Sequence, residues 1–303
     1  MGHWNKLGRI FDPKGRADWM ESYAWVPTAE HRGAGVYRVY VGGRNKDNLT
    51  QMGYIEIDIL KPFETLKVSE HPILRLGDLG TFDDSLVLPS WIADRGEKKY
   101  MYYIGWMQGK RVPYYASLGL AVSEDGGESF RRCGRGPLLE RNDVDPYMTA
   151  SACVLLDEGL WRMWYLTNTQ WSIVDGALRP RYHLKYAESS DGFNWKREGV
   201  VAIDFKSEDE FAISRPFVLK EDGMYKMWYS HRGGTYRIGY AESADGISWI
   251  RKDGEVGIDV SSEGWDSEMI EYPFIIDHGS KRYMLYNGNN FGETGIGLAE
   301  WAA

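Results

Sequence analysis

Side chains able to do chemistry recur at two kinds of place along this chain: just ahead of apolar strands, and just past the aromatic strands that follow them. The first kind holds Glu21, Asp83 and Asp84, Asp143 and Asp145, Glu210, and Asp266, Glu268 and Glu271. The second holds Arg44, Trp106, Asn168, the pair His231-Arg232, and Asn287. Carboxylates and amides bond hydroxyls, indole faces stack on sugar rings, and two carboxylates of separated pKa can cleave a glycosidic bond. Brought around one channel, such a set makes a carbohydrate site. Arg215, in Ser214-Arg215-Pro216, suits orienting or binding an anionic group. His231 suits binding a hydroxyl or shuttling a proton near neutral pH. Trp25, Trp106 and Trp171 are the indoles placed for stacking on a sugar.

The elements that must carry these residues are legible in a repeat. Tyr186-Ala187-Glu188-Ser189-Ser190-Asp191-Gly192-Phe193-Asn194-Trp195 returns as Tyr240-Ala241-Glu242-Ser243-Ala244-Asp245-Gly246-Ile247-Ser248-Trp249, with a looser copy from Leu120 to Phe130. Each copy reads as a strand, a Ser-x-Asp-Gly turn and a second strand opened by an aromatic residue. The Asp side chain can bond its own turn, and Gly supplies the positive φ, so Asp125, Asp191 and Asp245 are read as structural. Ahead of each copy stands an apolar strand followed by an aromatic one, as in Tyr100-Met101-Tyr102-Tyr103 and Tyr225-Lys226-Met227-Trp228-Tyr229. Five such units of about 50–65 residues predict an all-β fold, a five-bladed β-propeller of four-stranded antiparallel blades. The blades fall at about 19–70, 82–140, 145–203, 210–258 and 266–301, in one domain spanning 1–303. The last unit ends after its third strand. Gly2-His3-Trp4-Asn5-Lys6 aligns with Phe193-Asn194-Trp195-Lys196-Arg197, so residues 3–11 are expected to supply the missing outer strand of blade five and close the ring. Two long connections, Gln108–Ala116 and Thr167–Tyr182, are expected to wall or cover the channel.

Composition narrows the partners. The 303 residues carry 36 Lys+Arg against 44 Asp+Glu, a net charge of −8, which argues against a nucleic-acid partner. No apolar run reaches the roughly 20 residues of a membrane span, and the first residues lack a signal peptide's apolar stretch. Two cysteines, Cys133 and Cys153, form neither a disulfide framework nor a zinc spacing. The expectation is a cytoplasmic protein, without metal or cofactor, that meets a small molecule or oligosaccharide; no oligomeric state is specified. The 13 Trp, 20 Tyr and 10 Phe are mostly absorbed by blade packing.

The repeats, the Ala-Glu-Ser-x-Asp-Gly-x-x-Trp hairpins and a Glu-x-Pro ahead of an aromatic strand resemble the five-bladed propeller glycosidases, glycoside hydrolase families 43 and 32 and the related family 130 phosphorylases. Ile270-Glu271-Tyr272-Pro273 is similar to the segment that carries the general acid there. The resemblance implies Glu271 as the acid and a second carboxylate, Glu21 or Asp84, as base or modulator. Blade one offers Glu21 where the family has Asp, and Asp145-Pro146 lies several residues early for the match. Asp145, Glu268, Arg44, Arg215, His231, Arg232, Trp106 and Asn287 are expected to bind substrate. The expected activity is cleavage or transfer at a glycosidic bond, by hydrolysis or with phosphate held by Arg215, His231 and Arg232. The alternatives are a carbohydrate-binding propeller without turnover and a propeller recruited to another reaction in small-molecule or glycan biosynthesis.

Overall fold

A computed structural model describes residues 2–174 and 176–303. Its strands run in chain order. After β1 (His3–Phe11) come β2 (Ser22–Gly33), β3 (Val36–Arg44), β4 (Thr50–Asp58) and β5 (Thr65–Val68). β6 (Leu86–Arg95), β7 (Lys98–Gln108), β8 (Tyr114–Ser123) and β9 (Arg131–Arg132) form the next group. Then follow β10 (Thr149–Asp157), β11 (Leu160–Val174), β12 (Ala177–Ser189) and β13 (Val201–Ile203). β14 (Ala212–Glu221), β15 (Met224–Arg232), β16 (Tyr236–Ser243) and β17 (Ile250–Arg251) form the fourth group. β18 (Glu271–His278), β19 (Lys281–Asn287) and β20 (Ile296–Ala302) end the chain.

Within each group, neighbours in sequence pair antiparallel, and single parallel bridges, Thr50 to Leu86 and Tyr182 to Ala212, link groups pairwise. The last three strands lack a fourth in sequence order. β1 takes the place, pairing with β20 from His3 opposite Ala302 to Phe11 opposite Ile296. The first strand of each group packs on the next: β2 on β6, β6 on β10, β10 on β14, β14 on β18, and β18 back on β2. Second strands are enclosed on both faces. That is why they read as unbroken apolar and aromatic runs such as Met101-Tyr102-Tyr103 and Met163-Trp164-Tyr165, all buried.

The repeated turns are built as their sequence predicts. Asp191 Oδ1 accepts the backbone N–H groups of Phe193 and Asn194, and Asp245 Oδ1 those of Ile247 and Ser248. Gly192 and Gly246 take φ of 74° and 76°, a conformation that favours glycine. The backbone N–H of Asn194, then its side chain, holds Asp191 below the usual carboxylate range.

A second repeated device involves the acids ahead of the first strands. Asp83 accepts hydrogen bonds from Tyr103 of β7 and Arg132 of β9, and Asp145 from Tyr165 of β11 and from Arg197. Asp266 accepts from Tyr286 of β19 and from Lys6 of β1. Each carboxylate therefore clamps a second-strand tyrosine to a cation on the outer edge of the sheet. Lys6 fills in the last sheet the place that Arg197 fills in the third. Burial would raise the pKa of Asp145, but hydrogen bonds from Thr167, Lys185 and Tyr165, with the charge of Lys185, hold it low. This corrects the expectation that Asp145 binds substrate: with no exposed surface, it is consumed by the clamp.

Candidate functional site

The first strands share a further irregularity. Register slips between Trp25 and Thr28 in β2, Pro89 and Trp91 in β6, Thr149 and Ala152 in β10, Ser214 and Phe217 in β14, and Glu271 and Phe274 in β18. Four of these bulges contain proline, which has no N–H to give to a ladder. Three residues just before proline are left-handed: Val26 at φ 56°, Arg215 at 50° and Tyr272 at 57°. Such a conformation costs about 1–3 kcal/mol for a non-glycine residue and persists only where its surroundings impose it. The bulges are cross-braced. Arg215, 1% exposed, donates through its guanidinium to the carbonyls of Ser90 and Pro27 and to the Thr28 hydroxyl, and its backbone N–H donates to Ser151 Oγ. Asn287 accepts from the N–H of Val26 and donates to the Ala24 and Gly295 carbonyls.

The bulges turn their side chains into a cavity of about 470 Å³, continuous in its lining with a deeper one of about 90 Å³. Val26, Leu88, Trp106, Tyr114, Tyr182, Tyr236 and Tyr272 border both. Arg215 borders the deep part, while Trp25, Arg44, Arg179 and Arg232 border the wide part. Trp106 stacks on Tyr114 at 4.1 Å and 4° between planes, and Trp171 meets the same tyrosine edge-on. The stretch Thr167–Tyr182 is no loop: β11 and β12 run on as a long hairpin, and Leu178, Arg179 and Pro180 on its second strand form one wall. Pro113, from the connection after β7, and Tyr114, which opens β8, form another.

Glu271 opens β18 beside this wall. It has no exposed surface, and neither carboxylate oxygen has a hydrogen-bond partner among the described residues. Burial drives its pKa well above the ordinary value, with the charge of Arg232 opposing, which favours the protonated form. It lies one residue from the lining Tyr272. Tyr182 and Tyr236 share a hydrogen bond nearby. The geometry excludes a pair between Glu271 and Arg215, whose donors go to backbone carbonyls and Thr28.

Other expected site residues are distributed differently. Glu21 is exposed and borders a separate outer cleft with Asn45 and His71. Asp84 accepts from Ser85 Oγ and the Gly80 N–H in the turn before β6. Neither borders the cavity beside Glu271, so the structure does not assemble the expected carboxylate pair. His231 and Arg232 are successive residues of a strand and point to opposite faces. Arg232 enters the cavity, whereas His231 meets Glu210 at 3.0 Å, itself paired with Arg251. Glu268 is exposed outside the cavity, and Asn287 is spent on bracing. The residues missed by sequence reasoning are Tyr114, Tyr182, Tyr236 and Tyr272, together with Arg179. The recurring X-Pro dipeptides of the first strands were the signal that could have found Tyr272.

The fold is shared with glycoside hydrolases of families 43, 62 and 32. A thermostable family-43 glycoside hydrolase aligns with TM-score 0.67 and 17% identity over 95% of this chain and 91% of that one. The α-L-arabinofuranosidase of Podospora anserina, solved with cellotriose, aligns with TM-score 0.71 and 11% identity over 99% and 97%. The chain belongs to the family of the uncharacterized protein Rv1502 of Mycobacterium tuberculosis, with which it is 39% identical over 296 residues, 98% of each. A 1,2-β-oligomannan phosphorylase of Thermoanaerobacter is 29% identical over 133 residues, 41% of this chain and 44% of that one. A scan against protein-family models finds no match.

Proposed function

We propose that the chain forms one closed ring of five four-stranded blades, with β1 as the outer strand of the fifth, and that its central cavity cleaves or transfers a glycosidic bond. The cyclic packing of the first strands and the pairing of β1 with β20 support the ring. The observation that carries the activity is Glu271: a buried, unpartnered carboxyl beside an aromatic cavity, where burial favours the protonated form. A carboxylic acid kept neutral at pH 7 can protonate the leaving oxygen of a glycoside. Its burial means that the wall at Tyr272 must open for it to reach a bound sugar. Trp25 and Trp106 offer the faces on which the sugar rings would lie.

The attacking group comes from outside the protein in this reading. Among the described residues no carboxylate borders the cavity, and Glu271 lies behind its wall, so nothing there is placed to activate water. Phosphate, held by Arg232 beside Glu271, is the nucleophile this arrangement favours, and the partial likeness to an oligomannan phosphorylase points the same way. The test is turnover of a panel of oligosaccharides, 1,2-β-mannosides included, with and without inorganic phosphate. Glu271→Gln should lose about 10²–10⁴-fold in turnover while sugar binding persists. Full activity in that variant, or binding of sugars with no cleavage under either condition, refutes the reading and leaves the non-catalytic alternative.

A further inference from the structure

The cavity carries more positive charge than one attacking anion requires. Arg44 closes β3, Arg179 lies on the β11–β12 hairpin and Arg232 closes β15, so the three reach the cavity from three different units. Among the described residues, none of their guanidinium groups donates a hydrogen bond or lies within ion-pair distance of a carboxylate. For Arg44 and Arg232, which are not exposed, this is unusual here, because Arg38, Arg197 and Arg251 are each held by a carboxylate and Arg215 by two carbonyls and a hydroxyl. Arg44 is instead held in place by aromatic faces, 4.2 Å from the centre of Tyr23 and 4.8 Å from that of Trp25. Its donors are thereby aimed but unused. Of the three, Arg232 is the one whose charge acts on Glu271. Arg44 and Arg179 border the same cavity from other units, outside the deep part, with Trp25 and Trp106 also in the lining.

We propose that Arg44 and Arg179 recognise an anionic substituent, a carboxylate or a phosphate ester, on the saccharide itself, at a ring remote from the bond that Glu271 would protonate. The planar guanidinium matches both groups, offering two parallel N–H donors to two oxygens. An anion brought into this half-enclosed site meets two cations, and among the described residues no carboxylate borders the cavity. Partial enclosure preserves an attraction that salt would otherwise screen within about 8 Å at physiological ionic strength. The substrate class is therefore an acidic saccharide, a uronate-containing or phosphorylated one. This names the substrate of the reaction proposed above and rests on that reading for the identity of the site, but not on its chemistry.

Binding tests the inference without turnover. The full chain is titrated calorimetrically with glucose, mannose and galactose, with the uronate and the 6-phosphate of each, and with orthophosphate alone. At least one charged sugar should bind tenfold or more tighter than its neutral parent, with the preference shrinking as salt is raised. A uronate preference assigns the carboxylate as the recognised group, and a 6-phosphate preference the phosphate ester. Arg44→Gln and Arg179→Gln should each bring the charged sugar to within about threefold of the neutral one. Arg179 is exposed on the hairpin, so its replacement keeps the fold even if the loss of Arg44 disturbs Trp25. Equal affinity for charged and neutral members of every pair overturns the inference. So do a charge preference that survives both substitutions, an orthophosphate affinity matching that of the best sugar, and the absence of any binding. The preference is also measured in Glu271→Gln. There it should persist although turnover is gone, so failure of the anion site and failure of the cleavage reading give different results.

Discussion

Replacing Glu271 with Gln should make the folded protein less sensitive to rising pH. In the unfolded chain a glutamate ionises near pH 4.3. In the fold this carboxyl is sealed from water, and its raised pKa keeps it protonated. Between those two pKa values the unfolded state therefore binds one proton fewer than the native state. The sign follows directly: stability is whole below the unfolded pKa and drains away as pH rises towards the folded one. One proton corresponds to a slope of about 1.4 kcal/mol per pH unit. With an unfolding entropy near 2.1 cal/mol/K per residue over 303 residues, that is about 2 °C in Tm per pH unit. Gln has nearly the same shape and nothing to ionise, so the variant should lack this slope. Urea unfolding of both proteins at half-unit steps from pH 4.5 to 7.5 measures it. Parallel profiles would mean that Glu271 is ionised in the fold, and the acid assigned to it would fall with that result.

Three other perturbations probe the frame around the cavity. Trp4→Ala in β1 removes a buried indole packed edge-on against Trp228 and Trp301; it should cost about 3–5 kcal/mol, read by urea unfolding, and removal of residues 2–11 should lower Tm further. Arg215→Ala frees two buried carbonyls and the Thr28 hydroxyl at the junction of three bulges, and a loss of about 3–5 kcal/mol is expected, larger than for Arg179→Ala in the same assay. Asp145→Asn acts on the acid side: the folded carboxylate is held low, so its stabilisation is present above about pH 4 and lost as pH falls further, and the variant's unfolding profile should be flatter there than the parent's.

What was legible in the sequence was what is local. The Ser-x-Asp-Gly turns close within a few residues and look alike wherever they occur, so they marked the units. The position of β1 was legible because Trp4 and Lys6 repeat Trp195 and Arg197, the side chains an outer strand needs for packing and for the clamp. The acids were misread because their partners are distant in sequence. Nothing near Asp145 announces Tyr165 or Arg197, yet these take up its charge and withdraw it from any channel. His231 and Arg232 were treated as a pair although strand alternation separates them. The tyrosines of the cavity were hidden among many that simply pack, and Arg179 was hidden by reading a hairpin as a connection.

The pairing of β1 with β20 also sets an order of events. His3 lies opposite Ala302, so β1 is made well before the strand that it pairs with. While the intervening units form their local hairpins, β1 waits with an unpaired backbone and with Trp4, Ile10 and Phe11 exposed, all of which end buried. Contacts of such sequence separation are slow to close. The period before β1 pairs with β20 is the interval in which this protein is most open to aggregation or to exchanging β1 with another copy.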